Sequence, residues 1–201
     1  MLWLLPVIAV VYDFTKDPID RLYFQNPWRP LVGVRNALVD LVFCASRHNI
    51  KDYPGLWTLE AHWKKIREEF HALRDSVPTY FFHELDDWFP HNEKYYYYKI
   101  QDFPNLKKLV DRIPCVDKTT GVLAVMEGPS SLPPHRAESN LQLRYQLTLE
   151  GTGDSVLLTK RGSHRQSPGE AFLFDHGRYH AVENSGGGCR VVLILDIKRL
   201  L

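Results

Sequence analysis

Residues 140–150, NLQLRYQLTLE, alternate in hydropathy without a break. Successive side chains of a strand point to opposite faces. Leu141, Leu143, Tyr145, Leu147 and Leu149 therefore share one side of an extended chain, and Asn140, Gln142, Arg144, Gln146 and Thr148 share the other. Such a strand needs a dry surface for its Leu/Tyr row. It also sets an arginine between two glutamines on the opposite face. The run predicts a sheet with one hydrocarbon face and one polar, cationic face.

The pattern continues on both sides. Runs at 121–127, 155–160, 171–175, 179–183 and 190–197 are short and rich in strand formers. They are separated by turn sequences: GTGD at 151–154, SPG at 167–169 and SGGG at 185–188. Glycine supplies the positive φ that tight turns require, and proline presets φ. Strands at this spacing, with no helical period between them, predict a β-sandwich or a jelly-roll barrel.

Residues 1–115 read differently. A short helix is predicted over 35–46. Thr58 stands as an N-cap with Glu60 in the first turn. Leu59, Trp63, Ile66, Phe70 and Leu73 then recur at steps of four and three, predicting an amphipathic helix that ends before Pro78. A further helix is predicted over 105–112, with Leu106, Leu109 and Ile113 inward and Pro114 as its stop. YYYYKI at 95–100 reads as a strand from its aromatic content. With 201 residues the chain can bury a substantial core. The reading is an apolar N-terminal segment (1–20), a helical extension leading into the barrel (21–115) and a jelly-roll core (116–201). The fold class is α+β, mainly β: a double-stranded β-helix, jelly-roll or cupin-like, with N-terminal helices packed on its outer face.

Lys plus Arg number 25 and Asp plus Glu 24, so no charge excess points to nucleic acid. The three cysteines, Cys44, Cys115 and Cys189, form no CxxC pair, and an odd count makes no disulfide framework. This favours a reducing compartment. The opening MLWLLPVIAVVY is apolar over about half of a ~20-residue membrane span. No Lys or Arg precedes it and no small-residue cleavage site follows it, so it does not read as a signal peptide. Two readings stay open for it: a buried element of the fold, or a shallow membrane anchor. Localisation is correspondingly membrane-associated or cytoplasmic.

A polar, cationic barrel interior is costly unless something occupies it. Arg144 would offset that cost by binding an anion, and a guanidinium suits a carboxylate. His135 follows two prolines at the mouth of this strand, His180 opens the 179–183 run, and Arg190 opens the last strand after a glycine turn. Two imidazoles with open coordination positions suit Fe(II), and a nearby arginine suits a carboxylate co-substrate. His176, four residues before His180, is the rival ligand. His62, His71, His83, His91 and His164 read as surface or satisfied side chains.

PPHRAESNLQLRYQLTL and SPGEAFLFDHGRYHAVENSGGGCRVVLILDIKRLL resemble the aspartyl/asparaginyl β-hydroxylase family. Its members are Fe(II)- and 2-oxoglutarate-dependent dioxygenases that include bacterial lipid A hydroxylases. The likeness spans roughly residues 95–201. It implies His135 and His180 as iron ligands, and Arg144 and Arg190 as the arginines that bind 2-oxoglutarate. Gln146 stands where the family often has a histidine and can still donate to the co-substrate. Ala124 stands where the family has a serine that touches it. Many such enzymes carry a ligating carboxylate two residues after the first histidine, where this chain has Ala137. Vertebrate-type members also lack that carboxylate, with a glycine and a water in its place, and remain hydroxylases. Glu138 is one residue along, on the opposite face of an extended chain, and is expected not to ligate.

The resemblance implies a 2-oxoglutarate-dependent dioxygenase using Fe(II), 2-oxoglutarate and O2, with His135, His180 and Arg190 carrying catalysis. Its substrate would be an Asp or Asn side chain of a protein, or a lipid acyl chain. Two rivals accompany this reading. One is a catalytically inactive metal- or ligand-binding jelly roll, motivated by Ala124, Ala137 and Gln146. The other is an iron-dependent halogenase, in which a small residue at Ala137 leaves room for chloride.

Overall fold

The alternation at 140–150 is realised as the nine-residue strand β5, Gln142–Glu150, in the middle of a sheet. The computed structural model describes residues 4–16, 28–42, 48–85, 91–137, 139–159 and 162–199. The other strands are β1 (Tyr80–Phe81), β2 (Tyr95–Lys99), β3 (Val122–Glu127), β4 (Ser130–His135), β6 (Ser155–Thr159), β7 (Gly162–Arg165), β8 (Ala171–Phe174), β9 (His180–Asn184) and β10 (Cys189–Lys198). They form a six-stranded sheet in the order β1-β2-β3-β10-β5-β8 and a four-stranded sheet in the order β4-β9-β6-β7. From β3 onward the chain passes back and forth between the two sheets, apart from the β6–β7 hairpin. That winding is the double-stranded β-helix of a jelly roll. β1 and β2 extend the larger sheet beyond it.

Register fixes the two faces of the larger sheet. Arg144 lies opposite Asp196 and Phe174, Gln146 opposite Ile194 and Phe172, and Arg190 opposite Met126. These residues point between the sheets. Leu143, Tyr145, Leu147 and Leu149 point the other way, where they are fully buried with Leu56, Leu59, Ile66 and Phe70 of the helical layer. The predicted packing of helices on the outer face is what the structure shows. Leu141 is the exception to the row, because the strand begins one residue later. Leu141 is half-exposed, while Asn140 is buried. The Asn140 amide donates to the Asn36 carbonyl (2.9 Å) and to Asp40 Oδ1 (2.8 Å), which fixes the entry to the strand.

The helices are α1 (Leu4–Lys16), α2 (Arg29–Val42), α3 (Leu56–Ala61), α4 (Trp63–Leu73) and α5 (Pro104–Asp111). α2 starts earlier than the predicted 35–46 helix, and the tail of that prediction, 43–46, lies outside the described residues. Thr58 is not an N-cap. Gly55, at φ 91°, takes that place after Pro54, and Thr58 lies inside α3. The single predicted helix is broken at His62, whose φ/ψ leaves the helical region. On α5 the buried positions are Leu106 and Val110, with Leu109 only half-buried, and Ile113 beyond its end is buried as predicted.

Three strands were not predicted. β1 has only two residues. β4 carries Pro133 and Pro134, which disfavour a ladder. It tolerates them because it is the edge of the smaller sheet, and its register with β9 slips between Leu132 and His135. β7, GSHR, has no apolar signal and survives as a hairpin partner of β6.

Candidate active site

His135 ends β4 and His180 begins β9, and the two face each other across that pair. Their ring centroids lie 4.2 Å apart. Each Nδ1 is hydrogen-bonded to a backbone carbonyl: His135 to Pro133 O at 2.9 Å and His180 to Arg178 O at 3.0 Å. A carbonyl can only accept, so Nδ1 carries the proton in both rings and the lone pair sits on Nε2. Metal-binding imidazoles are oriented in this way. Burial lowers the pKa of His135 to about 4, with the charge of Arg144 acting in the same direction. Burial, then His135, holds His180 well below its ordinary value. Both rings are thus neutral near pH 7, the form that ligates metal.

Arg190 is 1% exposed, with burial lowering its pKa to about 10. Its Nε and Nη1 are buried without a hydrogen-bond partner. Tyr95 of β2 and Cys189 act on that pKa in the opposite direction. An unpaired buried guanidinium is among the costliest groups a protein can hold. Its orphaned donors match what a carboxylate would supply.

Arg144 differs. Its Nε donates to Asp196 Oδ1 at 3.1 Å, and the pair is only partly exposed. Its charge reaches His135, His176 and His180, so it lies in the same electrostatic neighbourhood. Gln146 is buried, and its carboxamide oxygen accepts from Gln166 Nε2 at 3.1 Å, while Gln166 Oε1 accepts from Ser155 at 2.9 Å. The amide of Gln146 is thereby oriented with its nitrogen as the remaining polar end. Ala124 is fully buried among Met126, Leu157 and Val192 between the sheets.

His176 is buried with an unpartnered Nδ1. Its carbonyl accepts from Ala137 N at 2.8 Å, which ties its loop to the chain after His135. Burial, then Arg144, pushes its pKa far down. Among the described residues no group of three or more His, Cys, Asp or Glu is arranged to hold a metal ion. Glu138 lies outside the described residues. Asp196, Gln166, Ser155 and Tyr95 were missed by the sequence reading. Only Asp196 carried a signal, as an acid inside an apolar strand.

A family model described as Aspartyl/Asparaginyl beta-hydroxylase matches residues 60–200. No curated protein matches the chain in sequence. Among solved structures, the chain is similar to a cupin-superfamily sugar phosphate isomerase from Silicibacter pomeroyi (14% identity, 62% of this chain and 73% of that one, TM-score 0.42). It is also similar to the cupin domain of Schizosaccharomyces pombe Cnp3 (12%, 62% and 71%, TM-score 0.40). A third is KdgF from a Halomonas species (16%, 60% and 95%, TM-score 0.37).

Proposed function

We propose, for a chain that belongs to the aspartyl/asparaginyl β-hydroxylase family, a hydroxylase that uses Fe(II) and 2-oxoglutarate. The observation that carries the reading is the pairing of two imidazoles, each with its lone pair on Nε2, with a buried arginine whose donors lack partners. The first suits a metal and the second an oxo acid. The four-stranded sheet supplies the imidazoles and the six-stranded sheet the arginine.

His135 and His180 would hold the iron, and Arg190 would hold the distal carboxylate of 2-oxoglutarate. Bound iron and 2-oxoglutarate supply the oxidant from O2, inserting one oxygen into a substrate C–H bond and leaving succinate and CO2. The carbonyls of Pro133 and Arg178 keep both rings in the ligating tautomer. Arg144, oriented through its Nε by Asp196, would help to bind the incoming dianion. Phe174, 5.1 Å from the His180 ring, helps to exclude water. The substrate is an Asp or Asn side chain or a lipid acyl chain.

Two second readings rest on specific observations. Arg144 already paired to Asp196 and Ala124 buried in hydrocarbon favour a jelly roll that binds without turnover. Ala137 leaves a ligand position that chloride would fill in a halogenase.

Metal titration tests the proposal. His135→Ala and His180→Ala should each abolish stoichiometric Fe(II) or Mn(II) binding, and His176→Ala should retain it. Loss in His176→Ala with retention in His180→Ala would overturn the ligand assignment. Succinate formation dependent on iron separates enzyme from binder, and halide-dependent products would move the reading to a halogenase.

A further inference from the structure

The molecule's exposed hydrocarbon is concentrated in one place. Of the thirteen large hydrophobic side chains that are exposed among the described residues, ten belong to α1, α2 and Trp28, which immediately precedes α2. Leu5, Ile8, Leu38 and Leu41 are 58–77% exposed, and the groove between the two helices is lined by the same side chains. Such a surface marks an interaction site.

Three features say what covers it. On α1 the exposed large hydrophobic side chains are Leu4, Leu5, Val7, Ile8 and Val11, roughly 160° of arc at 100° per residue. A single partner helix takes a narrower stripe, whereas lipid wets a broad face. Next, the exposed apolar side chains run along both helices, from Leu4 to Val11 on α1 and from Leu31 to Val42 on α2, so the pair presents its flank rather than an end and suits lying along a bilayer surface. Last, the charge left exposed on the described side chains of this pair is the cation Arg35, while Asp40 is tied to Arg178. Trp28, 68% exposed, adds the aromatic anchor typical of a headgroup region.

We infer that the α1–α2 pair is a docking surface for an anionic lipid bilayer, lying in the plane of the interface. The opposite side of α2 carries the link to the site. Asp40 pairs with Arg178, whose carbonyl accepts from His180. Asp175 pairs with Arg178 (3.5 Å) and with Arg199 (3.0 Å). A polar cavity of about 290 Å³ lies between Asn36 and Asp40 on one side and Arg136, Asp175 and Gly177 on the other. A bilayer under α1 and α2 would therefore lie next to the mouth of the barrel, where it would present a membrane-borne substrate. The docking surface stands apart from the proposed chemistry.

The test is flotation of the full chain with phosphatidylcholine vesicles, with and without phosphatidylglycerol. The chain should float with both, more strongly with the anionic lipid, and that increment should fade with added salt. Leu38→Glu with Leu41→Glu should cut partitioning roughly tenfold or more, since each removes a side chain from hydrocarbon and adds a charge. Both positions are exposed, so the fold should tolerate the change, and unaltered circular dichroism and thermal melting would show that it does. Arg35→Glu should remove the anionic-lipid increment and leave the rest. Absence of flotation, or flotation indifferent to the Leu38/Leu41 change, would overturn the inference. A protein that is dimeric by light scattering, becomes monomeric in that double variant and never floats would assign the face to a second copy instead. None of these readouts needs iron or an oxo acid, so failure here leaves the chemical reading intact, and the reverse also holds.

Discussion

The two faces of the six-stranded sheet are made by the same strands and have opposite character. Outward, Leu143, Tyr145, Leu147 and Leu149 meet the helices in a layer of hydrocarbon and aromatic rings. Inward, Arg144, Gln146, Thr148 and Arg190 are buried or nearly so, and several of their polar atoms lack partners. The outer face is where the free energy of folding is gained. The inner face gives some of it back and gains binding capacity instead. One residue of displacement along β5 separates the two roles.

Neighbouring substitutions should expose the difference most strongly. Leu147→Ala empties a fully buried site on the outer face and should destabilise by about 2–5 kcal/mol. Thr148→Val, one residue on, removes a buried hydroxyl that has no partner and should change stability by less than about 1 kcal/mol, in either direction. Urea denaturation of both variants checks this. Equal losses would erase the distinction between the faces.

Arg190→Met should go further and stabilise the ligand-free protein by about 1–3 kcal/mol, because it removes an unpaired buried charge of similar length. The same variant should lose 2-oxoglutarate. A destabilised Arg190→Met would mean that the guanidinium holds the fold together.

pH gives a smaller effect. His135, His176 and His180 all have folded-state pKa values below the ordinary 6.5. The unfolded chain then binds more protons than the folded one below that value. Stability of the metal-free protein should be full above pH 6.5 and fall as the pH drops toward 4, by on the order of 1 kcal/mol per pH unit for each histidine. Replacing His135 by Gln should flatten part of the curve. A profile unchanged by that replacement would place the titration elsewhere.

Asp196→Asn should give the smallest change, about 0.5–1 kcal/mol, since its partner Arg144 is partly solvated. A larger loss would make Arg144 part of the structural frame.

The outer face and the apolar strands of the barrel were readable because both leave a local periodic trace, while β4 and β7 were not. The Leu/Tyr row needs only a period of two, and the turns need only glycine and proline. The histidines and arginines stood out by their order along the chain. What the sequence hid is contact between distant residues. Asp40 meets Arg178 across 138 positions, and Arg144 meets Asp196 across 52. No local pattern announces either pair. β4 was hidden for a different reason, since prolines argue against a strand unless its edge position is known. Thr58 misled because Pro54-Gly55 starts the helix before it.

The central claim is that the inner face binds an oxo acid through Arg190 beside a two-histidine metal site. Oxygen-free calorimetry of the Fe(II)-loaded protein with 2-oxoglutarate tests it most directly. The unaltered protein should bind. Arg190→Lys, which keeps the charge and loses the planar fork, should bind more than about tenfold more weakly with iron affinity little changed. No detectable binding by the unaltered protein, or undiminished binding by Arg190→Lys or Arg190→Ala, would contradict the account.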